Sequence, residues 1–158
     1  MKREQFNPLQ AQKVAAAFAQ HQVDYMFIGK SGAILLGYPG TTQDVDVYPR
    51  KGADNGKRIV AALRDLGFAL NETLEQEIVR GKDFVQIKEG PFDIDLWFAP
   101  DGIEDYEQAK SRMDQSSGFP VLNIRDIIAS KRAANRTRDL IELPLLEAFL
   151  DVYEKRES

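Results

Sequence analysis

The sequence predicts a mixed α/β (α+β) fold: a short mixed β-sheet with flanking helices and a C-terminal helical segment. Three observations predict it. The strand-like runs are short and alternate apolar with polar residues, as in "DVDVYP". Some are joined by turns, at Gly81 and at Gly90-Pro91, which implies hairpins. Helical patterns separate the others, so helices must lie against the sheet.

Each element has its own signal. Asn7 caps a first helix, "NPLQAQKVAAAFAQHQ", and Pro8 suits its first turn. Leu9, Val14, Ala17 and Phe18 trace its apolar face. "DYMFIG" is a strand entering a glycine, and "SGAILLG" is a short helix stopped by Gly37. "DVDVYP" is a strand by strict alternation, followed by a long helix, "GADNGKRIVAALRDLG", ending at Gly67. "EIVRGKDFVQIKEGPFDIDLWFAP" holds two or three strands. "IEDYEQAKSRM" is helical, "FPVLN" is a short strand, and Asn123 caps the helix "IRDIIASKRAA". "TRDLIELPLLEAFLDVYEKR" closes the chain as helix, with a break or new start near Pro144.

Composition narrows the function classes. The 158 residues suit one domain, 1–158, with one core. The absence of cysteine removes disulfides, zinc–thiolate sites and cysteine nucleophiles. No apolar stretch approaches ~18 residues, and the N-terminus has no signal-peptide core. We therefore expect no membrane association and a cytoplasmic location. A net charge of -4 argues against a broad nonspecific DNA-binding surface. A local basic cluster nevertheless stands at Lys131, Arg132, Arg136 and Arg138.

The stretch "FIGKSGAILLGYPGTTQDVDVYP" carries the chemistry. Its "GKS" ends like a P-loop, but Asp24 stands where the first glycine of that motif belongs. The following helix is also too short. Asp44 and Asp46 are two apart on a strand, so they share a face, about 6.5–7 Å apart along it. Carboxylates so placed repel each other unless a cation intervenes or solvent screens them. Mg²⁺ prefers oxygen ligands and commonly binds one or two carboxylates plus substrate phosphates. Gly29 opens a helix whose N–H groups suit a phosphate. Downstream, "FDIDLW" repeats the alternation with Asp93 and Asp95, so a third carboxylate is available on a neighbouring strand. Trp97, beside Asp95, reads as a core residue, with base stacking as the alternative. His21 reads as a surface residue.

These residues resemble the signature of the DNA polymerase beta-like nucleotidyltransferase superfamily. Ile28-Gly29 are followed, after Lys30 and thirteen further residues, by Asp44-Val45-Asp46-Val47. Gly37, Thr42, Asp44 and Asp46, with the late segment "DIIASKRAANRTRDLIELPLLEAFL", are similar to small bacterial nucleotidyltransferases related to abortive-infection toxins. The resemblance implies a minimal nucleotidyltransferase fold and Mg²⁺-dependent transfer of a nucleotide from a nucleoside triphosphate such as ATP. The acceptor is left open: a small molecule, a protein or an RNA end. Asp44, Asp46 and Asp95 are then the catalytic metal ligands. Asp93 is the alternative third acid, but the family pattern matches Ile94-Asp95-Leu96 better. Gly29, Lys30, Ser31, Thr42, Lys131 and Arg136 are the expected nucleotide-binding residues. Two positions depart from the family. Lys30 replaces a small residue, and Gly40 stands where relatives often carry arginine. Both favour an alternative, a non-catalytic nucleotide- or partner-binding protein of toxin–antitoxin type.

Overall fold

The computed structural model of the chain describes residues 5–157. Its order is α1 (Pro8–Gln20), β1 (Tyr25–Phe27), α2 (Gly29–Leu35), β2 (Asp44–Pro49), α3 (Ala53–Asp65), α4 (Glu72–Arg80), β3 (Phe84–Ile87), β4 (Asp93–Trp97), α5 (Tyr106–Ser111), α6 (Ile124–Ala134) and α7 (Thr137–Glu157). The four strands form one mixed sheet, ordered β1-β2-β4-β3. β1 is antiparallel to β2, β2 is parallel to β4, and β3 is antiparallel to β4. The predicted fold class is the observed one.

Alternation divides the sheet into two chemistries. Val45, Val47, Val85, Ile87, Ile94 and Leu96 are all buried and share one face. Phe18 of α1 and Ile59 and Leu63 of α3 join them in the core, fully buried. The other face carries the aspartates.

Local chemistry explains most of the boundaries. The Asn7 side chain accepts from the N–H groups of Leu9 and Gln10, at 2.9 and 3.2 Å. The Gln10 side chain accepts in return from the Asn7 N–H at 3.3 Å. This reciprocal cap sets the rotation of α1. It turns Gln10 inward and leaves Leu9 58% exposed, contrary to the apolar face expected of Leu9.

Three elements differ from expectation. Residues 77–80, read as the start of a strand, end helix α4. Asn71 caps that helix through the Leu74 N–H, and Gly81 closes it in a left-handed conformation. Two strands remain, β3 and β4. "FPVLN" forms only isolated bridges, with Val121 pairing to Phe27 and to Asp114. Finally, α7 runs through Pro144 without a break. An interior proline costs about 3 kcal/mol or more. Burial of Leu143, Leu146 and Tyr153 along the same helix offsets that cost. Among the described residues no helix is long and apolar enough to cross a membrane.

Candidate functional site

The register of β2 against β4 builds the site. Asp44 lies opposite Asp93, and Asp46 opposite Asp95. Partners in a ladder point to the same face, so all four carboxylates emerge away from the valine face. Asp44, Asp46 and Asp95 line a cleft. Asp93 is buried and does not line it. Asp95, unlike Asp93, thus lines the cleft together with the two acids of β2.

The start of α2 closes on Asp46. Gly29 has φ +62°, a conformation L side chains rarely adopt. A Cβ at Gly29 would also sit 2.7 Å from Asp46 Oδ2. Glycine is therefore required twice, by its backbone and by the carboxylate against it. Ser31 takes a different place from the one expected. It is fully buried, its hydroxyl donates to the Ile28 carbonyl at 3.1 Å, and it accepts from the Asp46 N–H at 2.9 Å. It ties α2 to β2 behind the cleft and does not line it.

Gly29, Lys30, Thr42, Lys131 and Arg136 do line the cleft, and so does Arg138. The cleft is thus lined by bases as well as acids. It is also crossed by one further carboxylate. Glu142 of α7 accepts from Lys30 Nζ at 3.3 Å and pairs with Lys131 Nζ at 3.4 Å. Lys131 also lies 3.6 Å from Asp139, which is fully buried and held by the Arg136 side chain at 2.7 Å. Beneath Lys30, a Cβ on Gly40 would lie 3.2 Å from Lys30 Cε and 2.6 Å from the Tyr38 ring. The two departures from the family pattern are therefore neighbours in space.

Two residues of the cleft carried no expectation of this kind. The Trp97 indole N–H donates to Asp46 Oδ1 at 3.1 Å. Strand alternation could have found it, because Trp97 is two residues beyond Asp95 and shares its face. Glu142 had no such signal. Its position depends on how α7 crosses the sheet, which no local pattern encodes.

The acids are held under electrostatic stress. Burial pushes the Asp46 carboxyl up to about 7, and the charges of Asp95 and Asp44 push the same way. Burial likewise pushes Asp95 up to about 6, with Asp44 and Asp93 adding to it. Asp95 Oδ1 is buried without a hydrogen-bond partner. Oxygen donors, an unpartnered buried oxygen and mutual repulsion together fit a hard divalent cation. The residues that could hold it are Asp44, Asp46 and Asp95. Among the described residues no three acidic or imidazole groups stand in a closed coordination shell. Binding a cation therefore requires these side chains to draw together.

The cleft holds about 190 Å³. Typical ligand pockets hold roughly 300–1,000 Å³, so a ligand of nucleotide size must extend from its mouth.

No protein-family model matches the sequence, and no curated protein matches it significantly. Solved structures do resemble it. A solution structure of the antibiotic-resistance factor ANT(2'')-Ia superposes with a TM-score of 0.58 at 16% identity, over 92% of this chain and 86% of that one. A crystal structure of ANT(2'')-Ia in complex with adenylyl-2''-tobramycin gives 0.57 at 15% identity, over 95% and 98%. A crystal structure of a proposed nucleotidyltransferase from Thermotoga maritima gives 0.52 at 14% identity, over 91% and 92%. At such identities the likeness speaks for architecture alone, and the architecture is the nucleotidyltransferase fold.

Proposed function

We propose that this protein transfers a nucleotidyl group from a nucleoside triphosphate to an acceptor oxygen, with a divalent cation such as Mg²⁺ held by Asp44, Asp46 and Asp95. One observation carries the reading. The β2–β4 register sets Asp46 beside Asp95, and these two carboxylates with Asp44 line one cleft together with Lys30, Lys131, Arg136 and Arg138. The acids suit a cation, and the bases suit phosphates.

In this reading Lys30 and Lys131 take the triphosphate, and Gly29 lets it approach the start of α2. The acceptor oxygen attacks the α-phosphorus, the bond from that phosphorus to the β-phosphate oxygen breaks, and pyrophosphate leaves. The acceptor's proton passes to Asp95, whose Oδ1 has no other hydrogen-bond partner. The bound cation supplies charge neutralisation at the phosphates. What the chain itself contributes is positioning and fixed charge.

Because the neighbour ANT(2'')-Ia was crystallised with adenylyl-2''-tobramycin, adenylyl transfer is the first activity to test. The protein is incubated with Mg²⁺ and each of four α-labelled nucleoside triphosphates. The acceptor panel spans polyhydroxylated small molecules, proteins and RNA ends. We expect acceptor-dependent pyrophosphate release that falls at least ~100-fold in Asp46→Asn. Nucleotide binding without release across the panel would favour the second reading, a non-catalytic nucleotide- or partner-binding protein. The observation on its side is Glu142, which already engages both lysines.

A further inference from the structure

Trp97 is the sole tryptophan of the chain. It ends β4, on the face that carries Asp95. Its ring lies against Phe84, its cross-strand partner, with centroids 4.1 Å apart and planes tilted 30°. The indole lines the cleft from this position. The indole N–H meets Asp46 Oδ1 at 3.1 Å. On the other side Asp46 Oδ2 faces Gly29, so closely that a Cβ there would be 2.7 Å away. The backbone N–H of Asp46 is tied to Ser31 at 2.9 Å. Asp46 is thus hydrogen-bonded at Oδ1 and at its own backbone, while Oδ2, packed beside Gly29, carries no such bond from Trp97.

We propose that Trp97 is a positioning residue for the divalent cation. Its N–H occupies Asp46 Oδ1 and fixes the carboxylate plane, leaving Oδ2 as the coordinating oxygen at the start of α2. This rests on the cation reading of the site given above. Partners that orient a ligand from behind commonly change metal affinity 10–100-fold when removed. A tryptophan that merely fills space on the sheet has no such leverage.

The experiment uses the full chain and Mn²⁺, a paramagnetic substitute for Mg²⁺. Free Mn²⁺ is followed by electron paramagnetic resonance while Trp97 emission is recorded in parallel. We expect saturable quenching with the same midpoint as binding. Asp46→Asn should abolish both. Trp97→Phe keeps an aromatic ring against Phe84 and lacks the donor. It should melt within ~5 °C of the parent and bind Mn²⁺ at least ~10-fold more weakly. Mn²⁺ binding with unchanged emission overturns the proposal and leaves the metal site standing, as does equal affinity in Trp97→Phe. No Mn²⁺ binding by the unmodified protein overturns the proposal and the site together. If Trp97→Phe does not fold, Trp97→Tyr, which also keeps a ring against Phe84 and lacks the indole N–H, takes its place in the same binding measurement, with equal affinity overturning the proposal.

Discussion

Asp46 is the residue whose charge state matters most to the molecule. Its folded-state value, about 7, lies above the usual carboxylate value of 3.8. The stability it contributes is therefore fully present below about pH 4 and is lost as pH rises through about 7. Asp46→Asn removes that loss. Without metal, the variant should melt higher than the parent by at least ~3 °C at pH 8, and the gap should shrink toward pH 5. Melting curves at several pH values check this; a gap that widens as pH falls contradicts it. Gly29→Ala tests the close approach. It combines a left-handed backbone with a contact to Asp46 Oδ2. We expect a loss of roughly 1–3 kcal/mol in chemical denaturation, and weaker Mn²⁺ binding as the carboxylate is pushed aside. Much of this site is legible in the sequence. Period-two alternation pairs Asp44 with Asp46 and Asp93 with Asp95, the family resemblance prefers Asp95, and Gly29, Lys30, Thr42, Lys131 and Arg136 all reach the cleft. The family resemblance implies a nucleotide-binding Ser31, yet its hydroxyl serves the Asp46 and Ile28 backbone instead.

Among the elements, α4 is the one the sequence conceals. It is short, with a narrow apolar stripe of Leu74, Ile78 and Val79, and Ile78-Val79 looks like the onset of a strand. The punctuation was present in Asn71 and Gly81, but about two turns of helix give too short a repeat for the period to stand out beside a β-branched pair. What holds α4 is tertiary. A Cβ on Gly56 of α3 would come within 2.7 Å of Val79 Cα. Helix propensity alone predicts that Gly56→Ala stabilises α3 by about 1 kcal/mol. We expect the opposite, a melting temperature lower by ~3 °C or more, because backbone cannot yield as a side chain can. A higher melting temperature would show that the two helices separate freely. On α7, Glu142→Gln tests the bridge between the cleft lysines. It leaves Lys30 and Lys131 without their shared counter-charge. Pyrophosphate and ATP should bind several-fold more tightly by calorimetry, whereas weaker binding would mean that Glu142 holds the lysines in place for the ligand.

For the whole molecule, the sheet order joins residues far apart in the chain. The floor of the cleft exists only when β4 docks beside β2, after the intervening α3, α4 and β3 have folded back. No local fragment contains the site. A cation that binds there binds only the folded state, and stabilises it by mass action. Mg²⁺ should raise the melting temperature of the parent in a concentration-dependent way and leave Asp46→Asn unmoved. The mixed-sheet fold class was legible because alternation and hairpin turns are local. The position of α7 over the cleft was not, because it depends on packing between distant segments.

The aspartate ladder has a consequence for folding fidelity. Apolar strands of similar residues can pair out of step, since one valine resembles another. Here every second residue of β2 and β4 is an acid at the end that forms the site. Sliding β4 by one residue would turn Asp93 and Asp95 into the oily side of the sheet, beside Val45 and Val47. Burying an unpaired carboxylate costs several kcal/mol. The acids that repel one another in the finished molecule are thus also the marks by which its two central strands find their alignment.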